Sequence, residues 1–513
     1  MNVSTEKQDA AKQRKPGKSI WPKIPAPFVR AVLAGHSALG LAFAALIFLV
    51  CFSGTVVVLL EEVDRWETPR QPIIESVTPQ TLETIRTEAL AKYPGSHHIY
   101  GTLPTEDNPR INVYIDAVEG EPVKEMWADG NGHLMGERDA PWTSFIQRLH
   151  IYLHLPSTWG LFVVGLTGVA LLSSLISGIL AHPRVFRDAF HLRWGGSKRL
   201  QEADMHNRIG VWGLPFHIIV SLTGALLGLS TLLIGILGYV AFNGDINKVY
   251  SYFLPPVAVD DPRPAPLPPM EPMFAHIRQD APEAKPSYFL FEHPGETGQT
   301  VSLTAISPNQ LSRGDSWVFD GSGKLMEGGY SSTGTTGNFI LQALYLLHFG
   351  WFGGWIVKIA YILLGAGLTA VTASGVAIWL ARRRDKGRPA PRWERVWVAF
   401  CWSQPPAYAL AAIVALVAPA APLVPLWLVA SLLAMGTAAL WTPERISWRL
   451  RLIGAVLIAA IPVVHIATHG NAIADPMAWV VNVIMAGCAV LMGVSLLNPA
   501  KKKAPAPAPQ AAE

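Results

Sequence analysis

Charge is scarce in this 513-residue chain, where only 15% of residues are Asp, Glu, Lys or Arg. Soluble domains carry about a quarter, so a water-soluble globule is excluded. Cysteine is scarcer still. The three present, Cys51, Cys401 and Cys488, all fall inside apolar runs. That leaves no disulfide framework and no Cys-x-x-Cys metal or redox motif. The polar first stretch, with KQRKPGK, lacks the short apolar core and small-residue cleavage site of a secretory signal. The first apolar run is therefore expected to stay in place as an anchor. No Gly-x-Gly-x-x-Gly follows a strand, and the longest expected cytosolic loop, about 25 residues, is shorter than the roughly 30 that a dinucleotide-binding βαβ unit needs.

What the chain has is apolar sequence: mean hydropathy is +0.29 and half of its residues are apolar. A helix that crosses a bilayer needs about 20 mostly apolar residues. Eight runs qualify, over 29–60, 156–181, 209–242, 349–381, 396–417, 421–441, 449–469 and 477–497. If all eight cross, every Lys/Arg-rich connection lands on one side: the amino terminus, HPRVFRDAFHLRWGGSKR, ARRRDKGRPAPRWER, TPERISWRLR and NPAKKK. Basic connections mark the cytosolic side. The expected fold class is a polytopic α-helical membrane protein of about eight spans with both termini cytosolic. The net charge of +4 sits in those connections, so the bilayer is the expected partner and nucleic acid is not.

The two long segments left outside, 61–148 and 243–347, resemble each other. One contains EMWADGNGHLMGE and the other SWVFDGSGKLMEG. Both read as a hairpin around Asp-Gly-x-Gly, with a helix-like stretch ahead (TLETIRTEALAKYPG; EPMFAHIRQDAPEA) and a strand-like run (RINVYIDA; QTVSLTAI). Each is expected to be a small α+β module. DGNGHL also resembles the start of a calcium loop, but the Glu required at its twelfth position is missing.

The similarity continues into the apolar runs. Gly54 follows His36 by 18 residues, and Gly224 follows His206 by 18. Leu149-His150 precedes Ser177-Gly178 much as Leu347-His348 precedes Ser374-Gly375. The expected organisation is a cytosolic tail (1–28), repeat one (29–181), a loop (182–208), repeat two (209–381), a loop (382–395), four further spans (396–497) and a tail (498–513). Two spans per repeat make both copies enter from the same side, so equivalent residues share a depth. His36 is then level with His206, and His150 with His348.

A haem takes one or two axial ligands, commonly histidine. Facing helices from the two repeats would offer two such pairs, His36 with His206 and His150 with His348, one near each membrane face. A single histidine near a membrane face is an ordinary interfacial residue; four in two equivalent pairs are harder to explain that way. His217 lies 11 residues past His206, near mid-membrane, where an ionisable group is a functional candidate. It and His154 are the alternate ligands. His182 and His191 read as cytosolic, and the histidines of the outer modules as surface residues. His465 and His469 share a helix face without a third metal ligand in view. Trp142, Tyr152, Trp159, Trp351 and Trp355 are candidate acceptor contacts or interfacial-belt aromatics.

GHSALG with SGTVVVLLEEVDRW, RLHIYLHLP with GVALLSSLISGILAHPR, DMHNRIGVW with LTGALLGL, and LHFGWFGGWIVKIAYILLGAGLTAVTASGVAIWLARR resemble the PepSY-associated transmembrane family of bacterial inner-membrane proteins. The resemblance covers roughly residues 20–385 and includes PepSY-like periplasmic modules. It implies a haem-containing, iron-regulated membrane reductase with two b-type haems on His36, His150, His206 and His348. The implied reaction passes electrons across the inner membrane to a ferric siderophore or another periplasmic iron chelate. One electron loosens the iron, because oxygen chelators hold ferrous iron far less tightly than ferric. The donor would be a quinol or a cytosolic flavoprotein. The alternative is a non-redox PepSY membrane protein that binds a peptide, restrains a protease or transports the siderophore. Residues 396–497 lie beyond the resemblance and carry no legible motif.

Overall fold

The computed structural model describes residues 25–116, 122–181, 198–253, 261–307, 314–331 and 336–497. Most of the expected tail 1–28, His182 and His191 with most of their basic loop, and the tail 498–513 lie outside the described residues.

The element order repeats. The first unit runs α1 (Ala26–Ala42), α2 (Ala44–Val57), α3 (Leu60–Glu67), α4 (Pro79–Lys92), β1 (His98–Thr102), β2 (Ile111–Asp116), β3 (Lys124–Ala128), β4 (Leu134–Glu137), α5 (Pro141–Tyr152) and α6 (Ser157–Ala181). The second runs α7 (Lys198–Trp212), α8 (Leu214–Gly228), α9 (Ser230–Ala241), α10 (Ile246–Tyr250), α11 (Glu271–Asp280), β5 (Lys285–Glu292), β6 (Thr300–Ile306), β7 (Asp315–Asp320), β8 (Leu325–Ser331), α12 (Thr336–Phe349) and α13 (Gly354–Asp385). Then follow α14 (Pro391–Val417), α15 (Leu423–Gly436), α16 (Pro443–His469) and α17 (Pro476–Leu497).

The protein is a multi-pass membrane protein. Among the described residues five helices are long and apolar enough to cross a bilayer, and counting two bent pairs as one span each makes seven. The sequence led us to expect eight. The difference is α15, the run expected over 421–441. Its 14 residues rise about 21 Å, against a hydrocarbon thickness of about 30 Å.

The bends fall at equivalent places. α1 meets α2 at 67° and α7 meets α8 at 70°. The breaks are at Phe43 and Gly213, each seven residues beyond a histidine, His36 or His206. Gly213 and Pro215 account for the second, since proline cannot donate to the helix ladder. The first break contains neither residue type.

The two α+β modules do not stand apart. Their strands form one antiparallel sheet in the order β4-β3-β2-β1-β5-β6-β7-β8. The modules meet where β1 pairs with β5, Ile99 opposite Phe291 and Gly101 opposite Phe289. Alternate residues point inward, so Ile99, Val113, Phe289, Phe291, Leu303 and Phe319 share one core with Leu82 and Ile85 of α4 and Phe274 and Ile277 of α11. Both Asp-Gly-x-Gly hairpins are built alike. Asp129 Oδ1 accepts from the backbone N–H of Asn131 and His133 at 2.9 and 2.8 Å, and Asp320 Oδ1 from those of Ser322 and Lys324 at 2.8 and 3.1 Å. The second glycine of each, Gly132 or Gly323, takes the positive φ. These aspartates cap turns.

The C-terminal helices dock mainly on unit one, and Trp397 of α14 also donates to the Ala373 carbonyl of α13 at 3.1 Å. The alanine-rich face of α14 (Ala407, Ala411, Ala412) and Trp427 pack with Trp66, Trp142, Phe145 and Leu149 in one buried cluster; small residues permit that close approach. A buried polar clamp closes the contact. Asp475 accepts from Arg65 at 2.7 and 2.8 Å and from Arg110 at 3.1 Å. Trp66 donates its indole N–H to Asn482 at 2.9 Å. His465 lies flat on Trp66 and donates from Nε2 to its carbonyl at 2.8 Å, while Nδ1 accepts from Asn482 at 3.1 Å. Both nitrogens of His465 are thus spent on the clamp. Trp142 is part of this core too, 5.6 Å from Trp66, rather than a contact or belt residue.

Candidate functional site

His36 lies on α1 and His206 on α7, each just short of its helix's bend. His150 and His348 do not lie on the long spans themselves. They end the short helices α5 and α12, and a left-handed turn (Leu153 and His154; Gly350 and Gly353) separates each from the span that follows. The structure brings His150 and His348 together, with ring centroids 6.1 Å apart and planes 20° apart. His36 and His206 line one cavity of about 420 Å³ between α1, α6, α7 and α13, together with Gly40, Asn207, Trp379 and Arg382. The two places differ in depth. Tyr361 donates its hydroxyl to the carbonyl of Leu347, beside His348, at 2.7 Å, and Gly375, beside His206, is further along the same helix. The 14 residues between Tyr361 and Gly375 span about 21 Å.

Each imidazole rests on a Ser/Thr-Gly pair of a neighbouring helix. His150 backs onto Ser53-Gly54, His348 onto Thr223-Gly224, His36 onto Ser177-Gly178 and His206 onto Ser374-Gly375. These are the residues whose spacing marks the repeat in the sequence. The hydrogen bonds fix the tautomers. Nδ1 of His36 lies 2.9 Å from the Ser174 carbonyl and Nδ1 of His150 3.1 Å from the Val50 carbonyl. A carbonyl only accepts, so both Nδ1 atoms carry the proton. For His206 and His348 the partner is a hydroxyl, Ser374 at 3.0 Å or Thr223 at 3.1 Å. Each hydroxyl already donates its hydrogen to its own helix, Ser374 to Val371 at 3.0 Å and Thr223 to Ile219 at 2.7 Å. Its oxygen therefore accepts from Nδ1–H. In all four rings Nε2 is left with a free lone pair, the form a metal-binding histidine takes when an outer partner holds its other nitrogen.

The glycines leave room for the rings. A Cβ at Gly54 or Gly224 would sit 2.8 Å from Cε1 of His150 or His348. The corresponding distances are 3.3 Å at Gly178 and 3.4 Å at Gly375. A metal–imidazole bond of about 2 Å puts two imidazoles that share one metal roughly 6 Å apart between centroids, the spacing of His150 and His348. The four residues fit a haem ligand set.

The alternates do not join either pair. His154 stacks on Phe145 at 4.8 Å and leans toward Trp427 of α15 at 6.4 Å. His217 is fully buried on α8. Its nitrogens lie near the carbonyls of Leu364 and Gly210 without well-directed bonds. Among the described residues no group of three or more His, Cys, Asp or Glu could hold a metal ion, which includes the neighbourhood of His465 and His469.

Sequence reasoning missed the clamp and a buried ion pair beside it. Lys358 of α13 binds Glu62 of α3 and, at 2.9 Å, Asp107 of module one. The ion-pair partners are separated by 251 to 410 positions, so no local pattern announces them.

Residues 33–382 match the family described as the PepSY-associated TM region. The chain belongs to this family. All four cradled histidines fall inside the match, and α14 to α17 fall outside it. An uncharacterized protein of Pseudomonas aeruginosa is 30% identical over 239 residues, 44% of this PepSY-associated chain and 60% of the relative's own length. The chain thus spans less than two thirds of that relative.

Proposed function

We propose that this PepSY-associated protein is a di-haem inner-membrane reductase. In this reading it passes electrons across the bilayer to an iron chelate, a ferric siderophore or a similar complex, on the side that carries the sheet. One observation carries the proposal: four imidazoles, gathered in two pairs at two depths, each present a bare Nε2 because Nδ1–H is held from behind. Bound haem supplies a one-electron ferric/ferrous couple at each pair. The chain's residues do the rest. His150 with His348, and His36 with His206, would hold the haem through their free Nε2 atoms. The carbonyls of Ser174 and Val50 and the hydroxyls of Thr223 and Ser374 hold their tautomers, and the adjoining glycines keep the rings' space open.

The topology that goes with this function has eight crossings, with α15 as a short one. It leaves Arg382, Arg383 and Arg384 in the cytosol together with Arg445, Arg449 and Arg451, and the sheet in the periplasm as one platform over the outer pair. The electron donor is a quinol or a soluble flavoprotein, since the sequence has no Gly-x-Gly-x-x-Gly after a strand. The non-redox alternative gives no reason for four tautomers fixed in the same sense.

The test is spectroscopic and then functional. Protein purified from haem-replete cells should have a Soret band and, after dithionite, a split α-band, and should reduce a ferric chelate presented on the sheet side of sealed vesicles. Colourless protein would sink the reading.

A further inference from the structure

The C-terminal helices hold no member of either pair, yet one residue of α14 reaches the support of His150. Tyr408 lies 5.0 Å from Phe52 of α2 and 5.9 Å from Phe145 of α5, ring to ring. It is 4% exposed, and its hydroxyl is buried beside Ser53. In this arrangement of the helices the hydroxyl falls outside hydrogen-bonding geometry. A buried hydroxyl without a partner is costly and calls for an explanation.

Ser53 offers one. Its hydrogen goes to the Leu49 carbonyl at 2.7 Å, and its oxygen faces Nδ1 of His150 at 3.3 Å. A hydroxyl oxygen has two lone pairs, so one remains for Tyr408. The equivalent residue in unit two, Thr223, has no such neighbour in the cluster. The described residues that pack with α14 to α17 there come from α2, α3 and α5 and the turns after α2 and α5, none from α8 or α12.

We propose that Tyr408 is a positioning residue for the sheet-side pair. Its hydroxyl donates to Ser53, which makes that oxygen a poorer acceptor for His150 Nδ1–H and His150 a weaker donor to iron. Tyr408 thereby raises the reduction potential of the sheet-side site, and among the described residues its hydroxyl has no counterpart at Thr223. This rests on the haem reading above.

The experiment is redox potentiometry of the full chain with bound haem, comparing wild type, Tyr408→Phe, Ser53→Ala and the double variant. Phenylalanine keeps the ring contacts, and Ser53→Ala leaves His150 the Val50 carbonyl, so both variants should retain haem. In Tyr408→Phe, the transition that His348→Ala removes should move to lower potential. The expected change is about tenfold in its reduced-to-oxidised ratio, 59 mV for a one-electron couple. The other transition should stay, and adding Tyr408→Phe to Ser53→Ala should move nothing further. Two unmoved transitions, two equal shifts, or an additive double variant would overturn the tuning role while the haem reading stands. Wild-type protein without haem would overturn that reading itself, before any variant is compared.

Discussion

The two imidazole pairs are made of the same parts and differ in how tightly they are held. His150 and His348 face each other 6.1 Å apart, with glycines that tolerate no added methyl. His36 and His206 line an open cavity of about 420 Å³, and a Cβ at Gly178 or Gly375 would need its ring to give by a few tenths of an ångström at most. Duplication fixes which residues meet, because equivalent helices place equivalent side chains at one depth. What surrounds a pair fixes its tightness. On the sheet side the units are joined twice over, by β1 against β5 and by Lys358 reaching from unit two to Glu62 and Asp107 of unit one. The C-terminal helices add a third brace on α5. The cavity pair has a lighter brace: Trp397 of α14 donates to the Ala373 carbonyl, beside Ser374, at 3.1 Å.

Breaking a pair should have the largest effect. His150→Ala or His348→Ala should remove one and the same absorption component, and His36→Ala or His206→Ala the other, about half the bound haem each time, read by haem per chain and difference spectra. Testing the tightness comes next. Gly54→Ala and Gly224→Ala overpack a closed site, which costs about 1–3 kcal/mol, and should lower occupancy there by tenfold or more. Gly178→Ala and Gly375→Ala should leave the cavity site nearly full. Equal losses at all four glycines would erase the distinction.

The brace can be tested through Asp475. Breaking a buried ion pair from one side costs about 3–5 kcal/mol. Asp475→Asn should therefore lower the thermal midpoint of the detergent-solubilised protein and broaden the spectrum of the sheet-side component before that of the cavity component. The clamp also predicts a pH dependence. Burial raises the Asp475 carboxyl, but the hydrogen bond from Arg65, with Arg110 beside it, outweighs that and holds it below the usual carboxylate range. A depressed pKa contributes stability that is fully present above the unfolded carboxyl's value, about 3.9, and is lost as pH falls through the lower folded one. Acid should loosen the wild-type bundle only below about pH 4, and Asp475→Asn should lack that step. The smallest effect belongs to the hydroxyls. Thr223→Ala removes one hydrogen bond, worth about 0.5–1.5 kcal/mol, and should speed haem loss modestly from the sheet-side site alone.

Much of this was legible in the sequence. His36, His150, His206 and His348, and the Gly54, Gly224, Ser177 and Ser374 landmarks that align them, stand at matched intervals, and those intervals survive folding because helices convert spacing into position. The α+β modules were legible as well, since Asp129 and Asp320 announce their hairpins. The union of the modules into one sheet was not, because β1 and β5 are the edges of their own four-stranded halves and only tertiary placement makes them central neighbours. The bends at Phe43 and Gly213 were also hidden; hydropathy reads an apolar run as straight. The shortness of α15 within the apolar run 421–441 was hidden too, since hydropathy does not show where a helix ends. The left-handed turn at Leu153 and His154, which puts His150 at the end of a separate helix ahead of the span, was hidden as well. The clamp of Arg65, Arg110 and Asp475 could not be seen at all, because ion pairing across 410 positions leaves no periodic trace.

The pairing itself is tested most directly by haem stoichiometry in two double variants. His36→Ala/His206→Ala disables one site and should retain one haem per chain. His36→Ala/His150→Ala disables both and should retain none. Equal haem in the two variants would contradict the account.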